Sequence, residues 1–216
     1  MENSEFIRSH SDLKNYLQVN TNSSSLKTLL IHSCCGPCSS AVLEKLSGAF
    51  NITIFFYNPN IDSLLEFEKR YEEQKRLISE MGLNINVIKG NYDENSFLNA
   101  ISGYENLGER SIRCYNCYYE RLYNSALFAK QNNFDYFTTT LSISPYKNSN
   151  WINEIGLKLE EMVGIKFLYS NFKLEDGYKR SIELSKIHNL YRQDYCGCKF
   201  SKKERDERIK NKNSYL

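Results

Sequence analysis

The chain has 216 residues, of which 41% are hydrophobic and 25% charged, and its formal net charge is +2 at pH 7. That size and balance suit a single soluble domain with its own core, or one domain with a small appendage. A net charge so near zero excludes a global field that announces nucleic acid, so any such binding must use local patches.

The N-terminus, Met1 to Ser25, is polar and mixed in charge, with no apolar signal-peptide core. No apolar run approaches the ~20 residues needed to span a bilayer. The expectation is a cytoplasmic protein without membrane contact. In that reducing setting seven cysteines argue for metal or redox chemistry rather than a disulfide scaffold.

In chain order, Glu5 to Leu17 reads as a short helix with Phe6, Leu13 and Leu17 on one side, and Asn20 to Ser25 as a polar linker. Lys27 to Ser33, apolar at Leu29, Leu30 and Ile31, reads as a strand. Gly36-Pro37 then forces a turn, and Cys38-Ser39-Ser40 opens a helix through Leu46. Asn51 to Tyr57 is a second strand, ended by Asn58-Pro59-Asn60. Asp62 to Met81 is a long helix with Leu64, Phe67, Tyr71, Ile78 and Met81 as its apolar stripe.

Asn84 to Ile88 is a third strand, Asp93 to Ser102 a helix, and Gly103 to Arg110 a charged loop. Cys114 to Asn132 reads as a helix, Asp135 to Leu141 as a fourth strand, and Ser142 to Lys147 as its exit loop. Asn150 to Val163 is helical, Lys166 to Tyr169 a fifth strand, and Tyr178 to Asn189 a helix. Tyr191 to Cys198 then leads into a charged helical tail to Leu216. Alternation of this kind predicts an α/β fold, Rossmann-like, with a mainly parallel sheet covered by helices on both faces. Gly-x-Gly-x-x-Gly and the Walker phosphate loop are both absent after the first strand.

The chemistry lies in the cysteines. Cys34, Cys35 and Cys38 fall where a strand end meets a helix N-terminus, a place that favours anions and thiolates. Cys114-x-x-Cys117 opens another helix, and Cys196-Gly197-Cys198 precedes the tail. Parallel sheets collect ligands beyond the carboxyl ends of their strands, so the three groups can converge on one rim. Thiolate-rich ligation with no nearby histidine suits an iron–sulfur cluster better than structural zinc. His32 reads as a satisfied core residue, and His10 and His188 lack ligand spacing. Seven thiols exceed the four that a cluster uses. The surplus leaves two readings open: a strained, easily reduced Cys196–Cys198 ring, or a second metal shared with Cys38.

Cys34-Cys35-Gly36-Pro37-Cys38-Ser39, Tyr57-Asn58-Pro59-Asn60-Ile61, Cys114-Tyr115-Asn116-Cys117-Tyr118 with Arg121-Leu122, Ser144-Pro145-Tyr146-Lys147-Asn148 and Tyr191 to Cys198 occur in this order. Together they resemble the QueH-type epoxyqueuosine reductases over about residues 26 to 202. The resemblance implies an oxidoreductase that reduces epoxyqueuosine to queuosine at the wobble position of tRNA. It also implies a sheet like that of adenine nucleotide alpha-hydrolases, a [4Fe–4S] cluster, and a second iron (or zinc in its place) or a redox-active cysteine pair. Some members carry Asp where this chain has Cys38.

On that basis residues 1–25 form an N-terminal segment, 26–202 the catalytic domain and 203–216 a charged tail. The expected division of thiols is Cys34, Cys35, Cys114 and Cys117 on the cluster, and Cys38, Cys196 and Cys198 on the second centre. Asn58, Asn60, Tyr146 and Lys147 are candidate substrate contacts, although Asn-Pro-Asn is equally a good turn. Asp194 or Tyr195 is the candidate proton donor. Arg110, Arg113, Arg121 and the basic residues of the tail are candidate phosphate contacts, and the electron donor expected is of the ferredoxin or flavodoxin class. Two rivals remain. A cluster-dependent tRNA thiolase would show a Ser-Gly-Gly-x-Asp-Ser loop where this chain has Cys-Cys-Gly-Pro-Cys. A zinc-stabilised RNA-binding protein would carry zinc and lack absorbance near 400 nm.

Overall fold

A computed structural model describes residues 6–213 apart from 22 and 24. Residues 1–5, 22, 24 and 214–216, which the sequence reading assigns to the N-terminal segment, the linker and the tail, lie outside the described residues.

Five strands make one sheet. They are β1 (Lys27–His32), β2 (Phe50–Phe56), β3 (Asn86–Lys89), β4 (Tyr136–Thr139) and β5 (Lys166–Phe167). Their order is β3-β2-β1-β4-β5 and every pairing is parallel. Such a sheet is stable only when both faces are covered, and the central strands accordingly alternate between two cores. Leu29, Ile31, Ile52 and Ile54 face one. There they meet α1 (His10–Asn20) through Leu13, α2 (Gly36–Leu46) through Val42 and Leu43, and α7 (Gly177–Ile187) through Leu184. Leu30, Phe55, Phe137 and Phe167 face the other. That core is closed by Leu122 and Ala126 of α5 (Ile112–Gln131) and by Ile152 and Ile155 of α6 (Ser149–Leu159). The expected Rossmann-like α/β architecture with helices on both faces is what forms. The remaining helices are α3 (Leu64–Glu80), α4 (Glu94–Ala100) and α8 (Lys199–Asn213). Among the described residues no helix is long and apolar enough to cross a membrane.

Boundaries differ from expectation where a cap decides them. α1 starts at His10, not Glu5, because the Ser9 side chain accepts from the Asp12 amide. Phe6 therefore precedes the helix and is exposed, instead of joining its apolar stripe. α3 starts after Ser63, whose side chain accepts from the Glu66 amide, and Leu64 turns outward. Gly36 and Pro37 are not a turn ahead of α2 but its first residues, since proline tolerates the first helical position. β4 ends at Thr139, whose hydroxyl accepts from the Leu141 amide and starts a 3₁₀ turn over Thr140–Ile143. α6 passes into a π-helical turn, Glu160–Gly164. β5 can lie tight against α6 only because residue 156 is glycine: a Cβ there would stand 2.3 Å from the Phe167 ring.

Candidate metal centre

The chain leaves β1 toward β2 on one side and returns to β4 on the other, so the crevice beyond β1 and β4 is the switch point of the sheet. A cleft of about 360 Å³ opens there, with Cys34, Cys38, Tyr146, Lys147, Arg192 and Cys196 among its walls.

Cys34 lies two residues past the end of β1, Cys35 is the N-cap of α2, and Cys38 lies in its first turn. The sulfurs of Cys34 and Cys35 are 3.7 Å apart, and all three lie within 4.8 Å of one another. Buried polar groups fix the loop from below. Gln74 Oε1 accepts from Ser33 Oγ at 2.7 Å and from Ser39 Oγ at 2.8 Å. Asn58 Nδ2 donates to the Ser33 carbonyl at 2.8 Å, and Arg121 Nη2 donates to Asn58 Oδ1 at 2.6 Å.

The other four thiols border a smaller cavity of about 20 Å³: Cys114 and Cys117 from the start of α5, Cys196 and Cys198 from the segment before α8. Cys117 and Cys198 pack in one apolar cluster with Phe97 and Ile101. The Cys-Gly-Cys segment is pinned through its backbone. The Asp62 amide donates to the Gly197 carbonyl at 2.9 Å, and Arg70 Nη1 donates to the Cys196 carbonyl at 3.4 Å. Gly197 has φ of 126°, and a Cβ there would come within 3.1 Å of Arg70 Nη1.

All three cysteine groups thus meet at one rim, as their placement in the sequence suggests. Proximity divides them differently from the expected division: Cys38 stands with Cys34 and Cys35, and Cys196 and Cys198 with Cys114 and Cys117. Cys196 borders both cavities. All seven are free thiols.

Their acidities are also uneven. Cys34 is held well below the usual thiol range by hydrogen bonds from Cys35 and Cys38, against the effect of burial, with Lys147 and Arg121 adding positive charge. Its thiolate in turn pushes Cys35 up to about 11 and raises Cys38. Burial pushes Cys117 up to about 12 and Cys198 to about 11, and raises Cys114. The expectation that these thiols are acidic therefore holds for Cys34 alone among the shifted ones, and there through hydrogen bonds from its neighbours. The Cys34 thiolate raises Cys35 and Cys38, and burial raises Cys114, Cys117 and Cys198.

The remaining candidates separate clearly. Tyr146 is 64% exposed at the cleft mouth and Lys147 is half-buried beside the thiols. Asn58 is fully buried with both ends of its amide engaged, so it holds the loop and offers nothing to a ligand. Asn60 is buried against the smaller cavity with its Oδ1 unpaired among the described residues. Asp194 is exposed and ion-paired with Arg205, which keeps its carboxyl below the usual range. It is ionised at neutral pH and has no proton to give. Tyr195 donates to Asp62 Oδ1 at 2.7 Å, and its pKa is raised by burial first and by that bond second.

Arg110 is exposed, 5.6 Å above the Tyr146 ring. Arg113 and Arg121 are not surface residues: they are 3% and 1% exposed. Arg113 is committed to Glu204 at 2.8 Å and Arg121 to the interior of the rim. Exposed Arg192 and Arg208 line the cleft instead. Sequence reasoning counted Arg208 among the basic residues of the tail but missed Arg192, and also Arg70 and Gln74. The last pair did leave a signal: they are polar residues on the buried stripe of α3, with Phe67, Leu77 and Ile78.

Residues 29–204 match the family described as epoxyqueuosine reductase QueH. The chain is 36% identical over 180 residues to the epoxyqueuosine reductase QueH of Streptococcus pyogenes serotype M1, covering 82% of this chain and 71% of that one. It is 38% identical over 182 residues to that of Thermotoga maritima, covering 84% and 93%, and 39% identical over 175 residues to that of Haemophilus influenzae, covering 80% and 71%. The matched span contains every element of the rim from β1 to the start of α8. The chain belongs to the epoxyqueuosine reductase QueH family.

Proposed function

We propose that this protein reduces the epoxide of epoxyqueuosine in tRNA to the alkene of queuosine. The observation that carries the reading, beside the family, is the meeting of three distant cysteine groups at the switch-point cleft, next to Lys147 and Arg121. The step consumes two electrons and two protons: both carbon–oxygen bonds of the epoxide break, a carbon–carbon double bond forms, and the oxygen leaves as water.

The donor set fits iron. Seven thiols share the rim, three of their sulfurs lie within 4.8 Å of one another, and two cations stand beside them. Following the family resemblance, Cys34, Cys35, Cys114 and Cys117 would hold a [4Fe–4S] cluster, and Cys38, Cys196 and Cys198 a second iron, zinc in its place, or a redox-active pair. When bound, the metal supplies single electrons and Lewis acidity toward the epoxide oxygen. An external donor of the ferredoxin or flavodoxin class replenishes the electrons.

The chain's own groups do the rest. Tyr146 and Lys147 contact the nucleoside at the cleft mouth, and Lys147 provides a proton for the departing oxygen. A wobble nucleoside has to leave its stack to enter such a cleft. Arg110, Arg192 and Arg208 hold the flanking phosphates, so the segment 203–216 belongs to the RNA surface of a catalytic domain spanning 26–202. A tRNA substrate sets the reaction in the cytoplasm. The thiolase and zinc-binding alternatives lose ground to the family membership. Nucleoside analysis of tRNA from a strain lacking the gene tests the reading: queuosine should vanish and epoxyqueuosine accumulate. Unchanged queuosine with no epoxide, in a strain with no second reductase, rejects it.

A further inference from the structure

Three arginines are buried around the rim, and two of them have carboxylate partners. Arg70 pairs with Glu66 at 2.7 Å and Arg113 with Glu204 at 2.8 Å. Arg121, 1% exposed, makes no ion pair with a carboxylate among the described residues. Its Nη2 is spent on Asn58, a neutral group, and its Nε has no hydrogen-bond partner there. A lone buried guanidinium is costly, and folds retain one only where an opposite charge compensates it. Geometry puts it among the thiols: Arg121 stands one helical turn after Cys117 on α5, and Asn58, which holds it, also donates to the carbonyl of Ser33, the residue before Cys34. The ionisable groups near enough to act on it are Cys117, Cys34 and Cys196, one from each cysteine group, which would be thiolates when they bind metal.

We propose that Arg121 is the internal counter-cation of the metal centre: Asn58 holds it among the three cysteine groups, where it offsets the negative charge of thiolate-bound iron and sets how readily that iron is reduced. The inference rests on the cluster reading above and adds a residue to it. Arg121 touches neither substrate nor solvent, so it is a positioning residue and not a catalytic one. The physical ground is Coulombic. Reduction adds one negative charge to the centre, and a cation held nearby in a water-poor interior favours that state. Lys147 is also cationic, but it borders the open cleft where substrate enters, whereas Arg121 is closed off in the interior.

The test compares the wild-type protein with Arg121→Lys and Arg121→Gln, purified without oxygen and loaded with iron and sulfide. Three readouts are taken: iron per chain, the midpoint potential of the centre by visible and EPR titration, and the melting temperature of each metal-free form. Arg121→Gln should shift the potential downward, and Arg121→Lys should restore most of the shift. Failure of Arg121→Gln to take up iron, while its metal-free form melts with the wild type, supports the same conclusion, because uncompensated thiolates then repel one another. A wild-type potential in fully loaded Arg121→Gln overturns the proposal. So does a metal-free Arg121→Gln that melts well below wild type, which makes the arginine a packing strut. A wild-type protein without iron and without absorbance near 400 nm overturns the cluster reading itself, and this inference with it.

Discussion

His32 Nδ1 and Thr139 Oγ1 stand 2.8 Å apart at the carboxyl ends of β1 and β4, where the sheet changes direction. The other ring nitrogen faces the Tyr57 carbonyl at 3.0 Å. A carbonyl only accepts, so Nε2 carries the proton and Nδ1 accepts from the threonine hydroxyl. One buried imidazole thus ties β4 and the end of β2 to the strand that launches the first cysteines. Replacing Thr139 by Val deletes the donor and leaves a buried acceptor unpaired. It should cost about 1–3 kcal/mol, read by urea unfolding of the metal-free protein. A change below roughly 0.5 kcal/mol, under the usual worth of one such bond, would contradict this role.

Gly197 has a positive φ of 126° and faces Arg70 at the distance where a Cβ would crowd the guanidinium. Gly197→Ala combines backbone strain of about 1–3 kcal/mol with displacement of the two sulfurs beside it. The expected result is a sharp fall in iron per chain, with far-ultraviolet circular dichroism little changed. Full iron loading in this variant would show that the Cys-Gly-Cys geometry is not needed for the metal.

Asp62, 6% exposed in its side chain, accepts from Tyr195 at 2.7 Å and from Lys202 at 2.6 Å. It fastens α8 to the edge of the cleft. Burial alone would raise its pKa, but those two bonds win and hold it below the ordinary 3.8. A folded pKa below the unfolded one means stabilisation that is present above pH 3.8 and lost as pH falls through the folded value. Asp62→Asn should abolish that acid-side loss. At neutral pH it should cost about 1–3 kcal/mol and speed amide exchange in α8. Unaltered exchange there would mean that α8 is held by its other contacts.

Much of this was legible in the chain. Alternating apolar strands and striped helices gave the sheet and its order of elements, and the three cysteine groups announced a common rim. The sequence could not reveal which sulfurs are nearest, because that depends on how α2 and α5 tilt into the crevice. Nor could it separate buried from exposed arginines. Arg113 sits two residues after Ser111 and looks like any basic residue at a helix start, yet Glu204, distant in sequence, covers it. Arg121 follows Cys117 by one helical turn, which puts it on the cysteine face of α5 and hence inside.

That distinction makes a prediction about RNA. Exposed Arg192 and Arg208 line the cleft, whereas Arg113 is locked to Glu204. Arg208→Gln should weaken tRNA binding and lower the slope of log affinity against log salt by about one phosphate contact. Arg113→Gln should leave that slope alone and destabilise the fold instead. Equal salt slopes for wild type and Arg208→Gln would remove α8 from the RNA surface.

The most direct measurement is a single anaerobic reaction. Iron-loaded protein and a low-potential reductant are mixed with tRNA carrying epoxyqueuosine, and the digested nucleosides are quantified by mass spectrometry. The account predicts conversion to queuosine, absent when Cys34 is replaced by Ser. Epoxyqueuosine left intact by a fully loaded, reduced wild-type protein would contradict it.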